Sequence, residues 1–293
     1  MIYTGYTKTD TYYEFVGSEG KLIMPTTDVI LVDDESGMLA IKNTASRCTV
    51  GLLKIAPPAP SYKFTATYTG GTTYSAECDS STELTSATTK PEGYEYTSMT
   101  SAIIGDCVTS IGSKAFDFCS GLTSIDIPDS VTTINDYTFR NCTSLTSCTI
   151  GSGVTSINQG AFQNCSGLTS IDIPESVTII GGAVFYNCTG LTSIDITDSV
   201  TSIGNSAFQK CYSLSSIDIP DSVTSIAASA FRDCSGLTAI TVNATTPPTL
   251  PNANAFSNTN DCPIYVPASS VETYKSTSGW STYASRITAI PNS

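Results

Sequence analysis

The chain contains no histidine and only one tryptophan, and 13% of its 293 residues are charged. The absence of histidine removes the commonest general base and any Ser-His-Asp or Cys-His arrangement. No glycine motif that would cradle a phosphate occurs, because Gly112, Gly181 and Gly204 recur within a repeat as turn residues. Carboxylates are paired only in repeated columns. We therefore expect no catalytic residues and no enzymatic activity.

Positive charge is also scarce. Thirteen Lys and Arg residues stand against 26 Asp and Glu residues, which gives a formal net charge of −13 and a pI near 4.2. Such an acidic surface repels phosphate backbones, so we expect no nucleic-acid partner. The chain has no apolar run long enough to cross a bilayer, so we expect no membrane insertion.

The middle of the chain holds six copies of a 23-residue repeat, without insertion or deletion. The first copy reads V-T-S-I-G-S-K-A-F-D-F-C-S-G-L-T-S-I-D-I-P-D-S. A fixed period of this length is typical of a solenoid, in which each repeat forms one coil stacked on its neighbours. Function in such a molecule is expected on an extended repetitive surface. The copies begin at Val108, Val131, Val154, Val177, Val200 and Val223.

Each copy contains an extended stretch with an apolar face. In the first copy its inward residues are Leu122, Ile125 and Ile127, so Ser124 and Asp126 are expected to point into solvent. A proline ends the strand in three copies because it has no amide to donate. A second apolar segment in each copy ends in phenylalanine, and we predict that these rings stack as a spine. They are Phe116, Phe139, Phe162, Phe185, Phe208 and Phe231.

The motif V-T-S-I-G-x-x-A-F-x-x-C-x-x-L-T-S-I-x-I-P resembles the BspA-type leucine-rich repeat. The resemblance covers about Met99–Val242, and the second copy departs most, with Cys148 where isoleucine is expected. It implies a mainly β repeat solenoid, a leucine-rich-repeat-like right-handed coil with a curved parallel sheet face. It also implies a role in adhesion or protein recognition, without identifying the ligand.

Four regions are predicted along the chain. Residues 1–60 have strand patterns at 12–16, 28–32 and 38–41, which indicate a small β module ending in a stiff proline linker at 57–60. This module is either a folding cap or an anchor to a larger assembly. The other regions are a transition and N-terminal cap (61–98), the solenoid with a degenerate first coil (99–246), and a last coil with a C-terminal cap (247–293).

The C-terminal region is expected to close the solenoid. Ala255 and Phe256 match the repeat, and 262–267 resembles a last strand after a lengthened loop. The tail that follows is rich in aromatic residues and contains the single tryptophan, Trp280. Because a stack exposes its apolar interior at both ends, we predict that this tail forms one or two short helices covering the core. A binding role for Trp280 is the alternative.

Cysteine recurs once in every copy, and these six belong to a total of eleven. Equivalent positions in a stack lie about 5 Å apart, within disulfide reach. A uniform column gives no reason to pair particular neighbours, and cysteine behaves as a small buried hydrophobe. We favour a reduced structural column over disulfides, and the lack of C-x-x-C pairs leaves no expected metal site. The column comprises Cys119, Cys142, Cys165, Cys188, Cys211 and Cys234.

The candidate ligand-binding residues lie on the exposed strand positions. Neighbouring carboxylates about 5 Å apart repel each other unless water or a cation intervenes. The column is therefore either a solvated face that keeps the molecule soluble or a surface for a basic ligand or calcium. No cofactor is expected otherwise. The candidates are Ser124, Asp126, Asp172, Asp195 and Asp218, with Thr149 and Thr241 in the other copies; Asp129, Glu175, Asp198 and Asp221 form a second acidic column.

Two functional hypotheses remain. The first is a non-enzymatic adhesion protein, extracellular or on the cell surface, that recognises a protein or glycan ligand on another cell or host through the strand face. The second is a structural virion component, a head or tail fibre of a phage of gut-type bacteria, anchored to virion proteins through residues 1–60. Residues 1–8 show no basic segment followed by an apolar stretch, so a signal peptide is not visible in this chain.

Overall fold

The repeats form a parallel β solenoid in the computed structural model, as the sequence predicts. The structure describes residues 62–291 except 80, 81, 91 and 253, and before residue 62 it describes the backbone of six strands. The chain divides into two units, Met1–Ser61 and Tyr62–Ser293.

The first unit contains two antiparallel sheets of three strands each. Strands occur at all three stretches where the sequence predicts them, and three more are present. The proline segment at 57–60, predicted as a linker, lies outside the described residues. The strands are β1 (Tyr3–Lys8), β2 (Tyr12–Gly17) and β3 (Gly20–Pro25) in one sheet, and β4 (Val29–Asp33), β5 (Met38–Ile41) and β6 (Leu52–Lys54) in the other.

The second unit opens with an antiparallel hairpin rather than a coil. Its strands are β7 (Tyr62–Tyr68) and β8 (Thr73–Glu77), followed by β9 (Glu83–Leu84), helix α1 (Ser86–Thr89) and β10 (Met99–Ile104). β9 pairs in parallel with the first repeat, whereas β10 pairs antiparallel with β7. The degenerate first coil therefore pairs with the first repeat through β9, whereas β10 lies against the strand Ser124–Ile127 of that repeat and pairs with the hairpin.

A seven-stranded parallel sheet runs along one side of the solenoid. Every repeat contributes two residues from a T-x-I motif, in which the isoleucine is buried each time while the threonine two positions before it is exposed. The sequence predicts a second apolar segment here but not a continuous sheet. After β9, its strands are β11 (Ser110–Ile111), β13 (Thr133–Ile134), β15 (Ser156–Ile157), β16 (Ile179–Ile180), β17 (Ser202–Ile203) and β19 (Ser225–Ile226).

The predicted outward-facing strands form a second side, which we call the strand face. It comprises β12 (Ser124–Ile127), β14 (Ser147–Ile150), β18 (Ser216–Ile219), β20 (Ala239–Val242), β21 (Ile264–Val266) and β22 (Ile287–Ala289), all parallel within their pairs.

The third and fourth copies depart from the strand expected in every coil. Their pairing is reduced to one bridge between Asp172 and Asp195. The bond from Thr169 N to Thr146 O is 3.5 Å long, against 2.9 Å for the bond from Thr146 N to Thr123 O. Backbone pairing therefore weakens after the second copy, although the isoleucines at 171 and 173 stay buried.

Between the short strand and the cysteine, each copy makes a turn segment, which is 112–118 in the first copy. Backbone amides in this segment donate to the next coil, as Phe116 N does to Thr138 O at 2.8 Å. The chain becomes left-handed twice per turn segment, with φ of 61° at Lys114 and 66° at Phe118. This conformation is unfavourable for most residues but tolerable for Asn and Asp. The column of Phe118 continues accordingly with Asn141, Asn164, Asn187, Lys210 and Asp233.

The phenylalanines stack along the whole core. Neighbouring ring centroids lie 5.0 to 5.7 Å apart with nearly parallel planes, and Phe256 extends the column by one ring. Edge-on rings close both ends: Phe64 packs on Phe116 at 5.8 Å, and Tyr283 packs on Phe256 at 5.6 Å. The aromatic column therefore connects the two caps.

The six recurring cysteines lie in the interior as free thiols. From Cys142 onward, each Sγ donates a hydrogen bond to the phenylalanine carbonyl 26 residues earlier, for example from Cys165 to Phe139 O at 3.1 Å. Desolvation raises the pKa of the Cys188 thiol to about 12 and that of Cys165 well above its usual value. The thiols of Cys165 and Cys188 are therefore protonated at neutral pH and do not act as nucleophiles.

One disulfide joins Cys78 to Cys107, next to the N-terminal hairpin, across a separation of 29 residues. The sequence alone does not predict this pair. The separation differs from the repeat period, so no column brings the two cysteines together. The bond ties the end of β8 to the loop before β11.

The C-terminal cap covers the core as predicted. Helix α2 (Val271–Ser276) and a 3-10 helix (Trp280–Tyr283) bury the aromatic side chains of the tail. Trp280 is fully buried against Phe256, and its Nε1 donates to Pro248 O at 2.7 Å. Tyr274 Oη donates to Ala244 O at 2.7 Å. Trp280 therefore closes the solenoid and offers no surface to a ligand.

Phe162→Ala should lower the free energy of unfolding by about 3–5 kcal/mol, because it removes a fully buried ring from the middle of the stack. Phe118→Ala is the matched control, since this ring is 52% exposed. Urea unfolding followed by circular dichroism measures both. Equal losses in the two variants would show that the stack is not what stabilises the coils.

Burial of the cysteine column should also make the protein sensitive to alkali. The Cys188 thiol keeps its proton in the folded state up to about pH 12, whereas the unfolded chain loses it near 9.0. The corresponding stabilisation is fully present below pH 9.0 and is lost as the pH rises from there towards 12. For one thiol, the loss of stabilisation amounts to at most about 1.4 kcal/mol per pH unit.

We therefore expect the free energy of unfolding to fall less steeply with rising pH in Cys188→Ala than in the unmodified chain. Urea titrations under reducing conditions, at a series of alkaline pH values, give the two slopes. Identical slopes would contradict the buried, protonated state of this thiol.

Candidate functional site

The strand face carries the predicted ligand-binding residues on its outer surface. In β12, Ser124 and Asp126 are exposed while Ile125 and Ile127 are buried. The alternation arises because successive side chains of a strand point to opposite faces. The structure therefore presents two exposed side chains from each of β12, β14 and β18, at positions set by the pairing of the coils.

The predicted aspartates fall into one column along the coils. Asp126 lies opposite Thr149, Asp172 bridges to Asp195, and Asp218 lies opposite Thr241. All four aspartates are exposed. Three of them come from consecutive copies, so their carboxylates repeat at the strand spacing of about 5 Å.

The column extends beyond the residues that the sequence singles out. Tyr265 pairs with Thr241, and Thr288 pairs with Tyr265, so both continue it towards the C-terminal cap. At the other end, β10 lies against β12, and Ile103 is 69% exposed. The position of Ile103 in this column could have been predicted from the sequence, since it stands 23 residues before Asp126. Tyr265 follows Thr241 by 24 residues because of the lengthened loop, which hid its register.

Hydroxyl groups along the start of each strand are directed at the backbone. Thr146 Oγ1 donates to Thr123 O at 3.0 Å, and the same bond is repeated by Thr169, Thr192, Ser215 and Thr238. These hydroxyls add a second hydrogen bond at each coil contact. The serines and aspartates next to them are left to face solvent.

The electrostatic character of the strand face is acidic. None of the ion pairs among the described residues involves Asp126, Asp172, Asp195 or Asp218. Asp218 Oδ1 accepts a hydrogen bond from Asn243 Nδ2 at 2.7 Å. The carboxylates can accept hydrogen bonds from amines, backbone amides or hydroxyl groups.

The second acidic column lies just past the strands, and its four side chains are exposed. Asp129 Oδ1 accepts hydrogen bonds from Ser152 N at 2.7 Å and Ser152 Oγ at 3.0 Å, so this residue also fixes a turn. Within the described part of the chain, no three side chains of Cys, Asp or Glu converge as metal ligands. No described helix is long and apolar enough to span a membrane.

Comparisons with known proteins agree with the repeat motif. Residues 88–214 and 157–278 match the family model of the BspA type leucine rich repeat region, with six copies. The search among curated proteins found no match.

Several solved structures are similar. A leucine-rich repeat protein from T. pallidum is 32% identical over 46% of this chain, with a TM-score of 0.45, and the chain spans 65% of that protein's length. A leucine-rich cell surface protein from Faecalibacterium prausnitzii is 17% identical over 89% of this chain and 94% of its own, with a TM-score of 0.33. The pneumococcal vaccine antigen PcpA is 13% identical over 99% of this chain and 98% of its own, with a TM-score of 0.31.

The parallel coils, the buried phenylalanine and cysteine columns and the outward strands all follow from the 23-residue motif. The family match covers residues 88–278, which is more than half of the chain. The chain therefore belongs to the BspA type leucine-rich repeat family.

Proposed function

We propose that this chain is a non-enzymatic adhesion protein, displayed on a bacterial cell surface, that recognises a protein or glycan ligand through the strand face. The observation that carries the proposal is the column of exposed serine and aspartate side chains, repeated by successive coils. Such a repeated array suits a ligand that is itself extended, because several weak contacts then act together.

The Cys78–Cys107 disulfide supports display outside the cytoplasm. Disulfides persist in oxidising compartments and are rare where glutathione and thioredoxin keep thiols reduced. The column cysteines can stay reduced outside the cytoplasm as well, since burial shields them from oxidants.

The chemistry of the side chains also favours a binding role over catalysis. The chain has no histidine, and burial raises the pKa of the Cys165 and Cys188 thiols, which are protonated at neutral pH. The strand-face aspartates are exposed and come from separate coils, an arrangement that suits surface contacts better than acid–base catalysis. Calcium prefers six to eight oxygens converging on one point. We therefore expect ligand binding to persist in EDTA.

The compartment can be tested directly on protein isolated from its native host. We expect the Cys78–Cys107 bond in the mature protein, together with enrichment in the cell envelope or the medium. Non-reducing peptide mapping and fractionation, with an antibody against the chain, measure both. Co-sedimentation with purified phage particles at fixed stoichiometry would favour the virion component instead, and a cytosolic protein with free thiols at both positions would contradict both hypotheses.

The strand face can be tested by removing its charge. We expect Asp126→Asn, Asp172→Asn and Asp195→Asn together to weaken binding to mucin-coated surfaces or epithelial cells by about tenfold, which corresponds to about 1.4 kcal/mol. The reason is that three carboxylates lose their capacity for charge-assisted hydrogen bonds. Biolayer interferometry on mucin and flow cytometry on cells give the affinities.

The matched control is Glu175→Gln, Asp198→Asn and Asp221→Asn, which removes the same charge from exposed positions past the strands. An equal effect of both triple variants would assign the binding to net charge alone. Undiminished binding by the strand-face variant would place the ligand on another surface.

A further inference from the structure

The turn segments vary among the copies far more than the strand face does. The exposed strand position of Ser124 is serine in five of the six copies. By contrast, the turn-segment column that begins with Asp117 reads Asp, Arg, Gln, Tyr, Gln and Arg. A uniform surface repeats one contact, whereas a varied surface can shape a single site.

A cavity lies among the turn segments of copies two to five. Its volume is about 450 Å³, which falls within the range of small-molecule sites. None of the strand-face candidates lines it. Its lining comprises Tyr137, Gln159, Gln163, Gly182, Ala183, Tyr186, Asn205 and Ser206.

Two small residues leave room for the cavity. Gly182 and Ala183 lie in the fourth copy, and the equivalent residues of the third copy are Gln159 and Gly160. A Cβ added to Gly182 would find its nearest contact, Asn205 O, at an ordinary 3.4 Å. The backbone therefore does not require glycine at this position, and a larger side chain here can fill the cavity without disturbing the stack.

The ring of Tyr137 is held in place from several sides. It lies against Gly160, where an added Cβ would come within 2.5 Å of Cδ1. Gln159 Nε2 donates to Tyr137 Oη at 2.8 Å, and the Arg140 guanidinium lies 4.9 Å from the ring centroid. Arg140 is itself anchored, since its Nε donates to Asp117 Oδ1 at 3.0 Å. A ring fixed in advance loses little entropy when a ligand binds.

Tyr186 lines the cavity from the fourth copy. The Lys210 ammonium lies 5.3 Å from its ring centroid, so this ring also has a cation at one face. Tyrosine offers an apolar ring together with a hydroxyl that can form hydrogen bonds. The two tyrosines therefore bring an aromatic ring and a hydroxyl each to the lining, from different coils.

The remaining lining is polar and uncharged. The eight described lining residues include no charged side chain, although the chain carries a net charge of −13. The carboxamides of Gln159, Gln163 and Asn205 each provide donors and an acceptor, and Ser206 adds a hydroxyl. No aliphatic side chain larger than that of Ala183 is present to bury an apolar peptide side chain.

We propose that this cavity binds a neutral glycan, with the C–H face of a pyranose ring against a tyrosine and its hydroxyl groups on the carboxamides. A pyranose matches the lining because it is uncharged and rich in hydroxyl groups, and it has a flat face of C–H bonds. The site lies in the turn segments, so it does not depend on ligand recognition by the strand face.

The test uses the full chain and a panel of neutral trisaccharides: maltotriose, cellotriose and chitotriose. Saturation-transfer NMR and titration calorimetry should show that at least one of them binds, and that sialyllactose does not bind more tightly. We expect Tyr186→Ala to weaken this binding by about tenfold or more, a loss of about 1.4 kcal/mol. Gly182→Gln should abolish it, because the added side chain occupies the cavity.

Two controls separate the site from the fold and from the strand face. Gly182→Gln places in the fourth copy the residue that the third copy carries in this column, so its unfolding midpoint should be unchanged. Tyr62→Ala, which removes a tyrosine 42% exposed on the N-terminal hairpin, should bind normally. The strand-face triple variant should also keep its trisaccharide binding, even if the proposed function fails.

Three results would overturn the proposal. They are a lack of binding by every neutral trisaccharide, binding that survives Gly182→Gln in the folded protein, and tighter binding of an uncharged alanine tripeptide that Gly182→Gln abolishes.

Discussion

Stacking of the phenylalanine column is the interaction on which the rest of the second unit depends. Seven rings lie 5.0 to 5.7 Å apart, a little more than the spacing of paired strands. Each ring can stay buried only if the next coil places its own ring directly above. The constant length of the six copies keeps the rings and the strands in register together, since a shift of one position along a strand would turn its apolar side chains outward.

The same requirement decides how polar groups inside the stack are satisfied. The cysteine thiols bond to phenylalanine carbonyls of the preceding coil, and threonine hydroxyls bond to carbonyls along both sides of the solenoid. An unpaired buried polar group is costly, and the cysteine bond accordingly recurs in every copy from Cys142 onward. The threonine hydroxyls are exposed and add a second bond at the coil contacts. At the ends, where no further coil exists, the Cys78–Cys107 disulfide and the buried Trp280 help to fasten the caps.

The residues that point outward can differ between copies, and the two outward surfaces differ in how much they vary. The strand face repeats serine and aspartate, so neighbouring coils offer similar contacts to an extended ligand. The turn segments place different side chains at equivalent positions and thereby form one cavity between Tyr137 and Tyr186. A single solenoid can thus carry a repetitive surface and a localised site.

The sequence by itself determined the period, the buried columns and the exposed strand residues, because each depends on one position that recurs every 23 residues. Alternation along a strand was enough to place Asp126 in solvent and Ile125 in the core. Only the tertiary structure decided the antiparallel pairing of β10 with β7, the pairing of Cys78 with Cys107, and the weakened ladder of the third and fourth copies. It also decided the cavity, because the period does not show how much space the side chains of neighbouring coils leave between them. The cap pairings, the local weakening of the ladder and this space exist only once the coils have stacked.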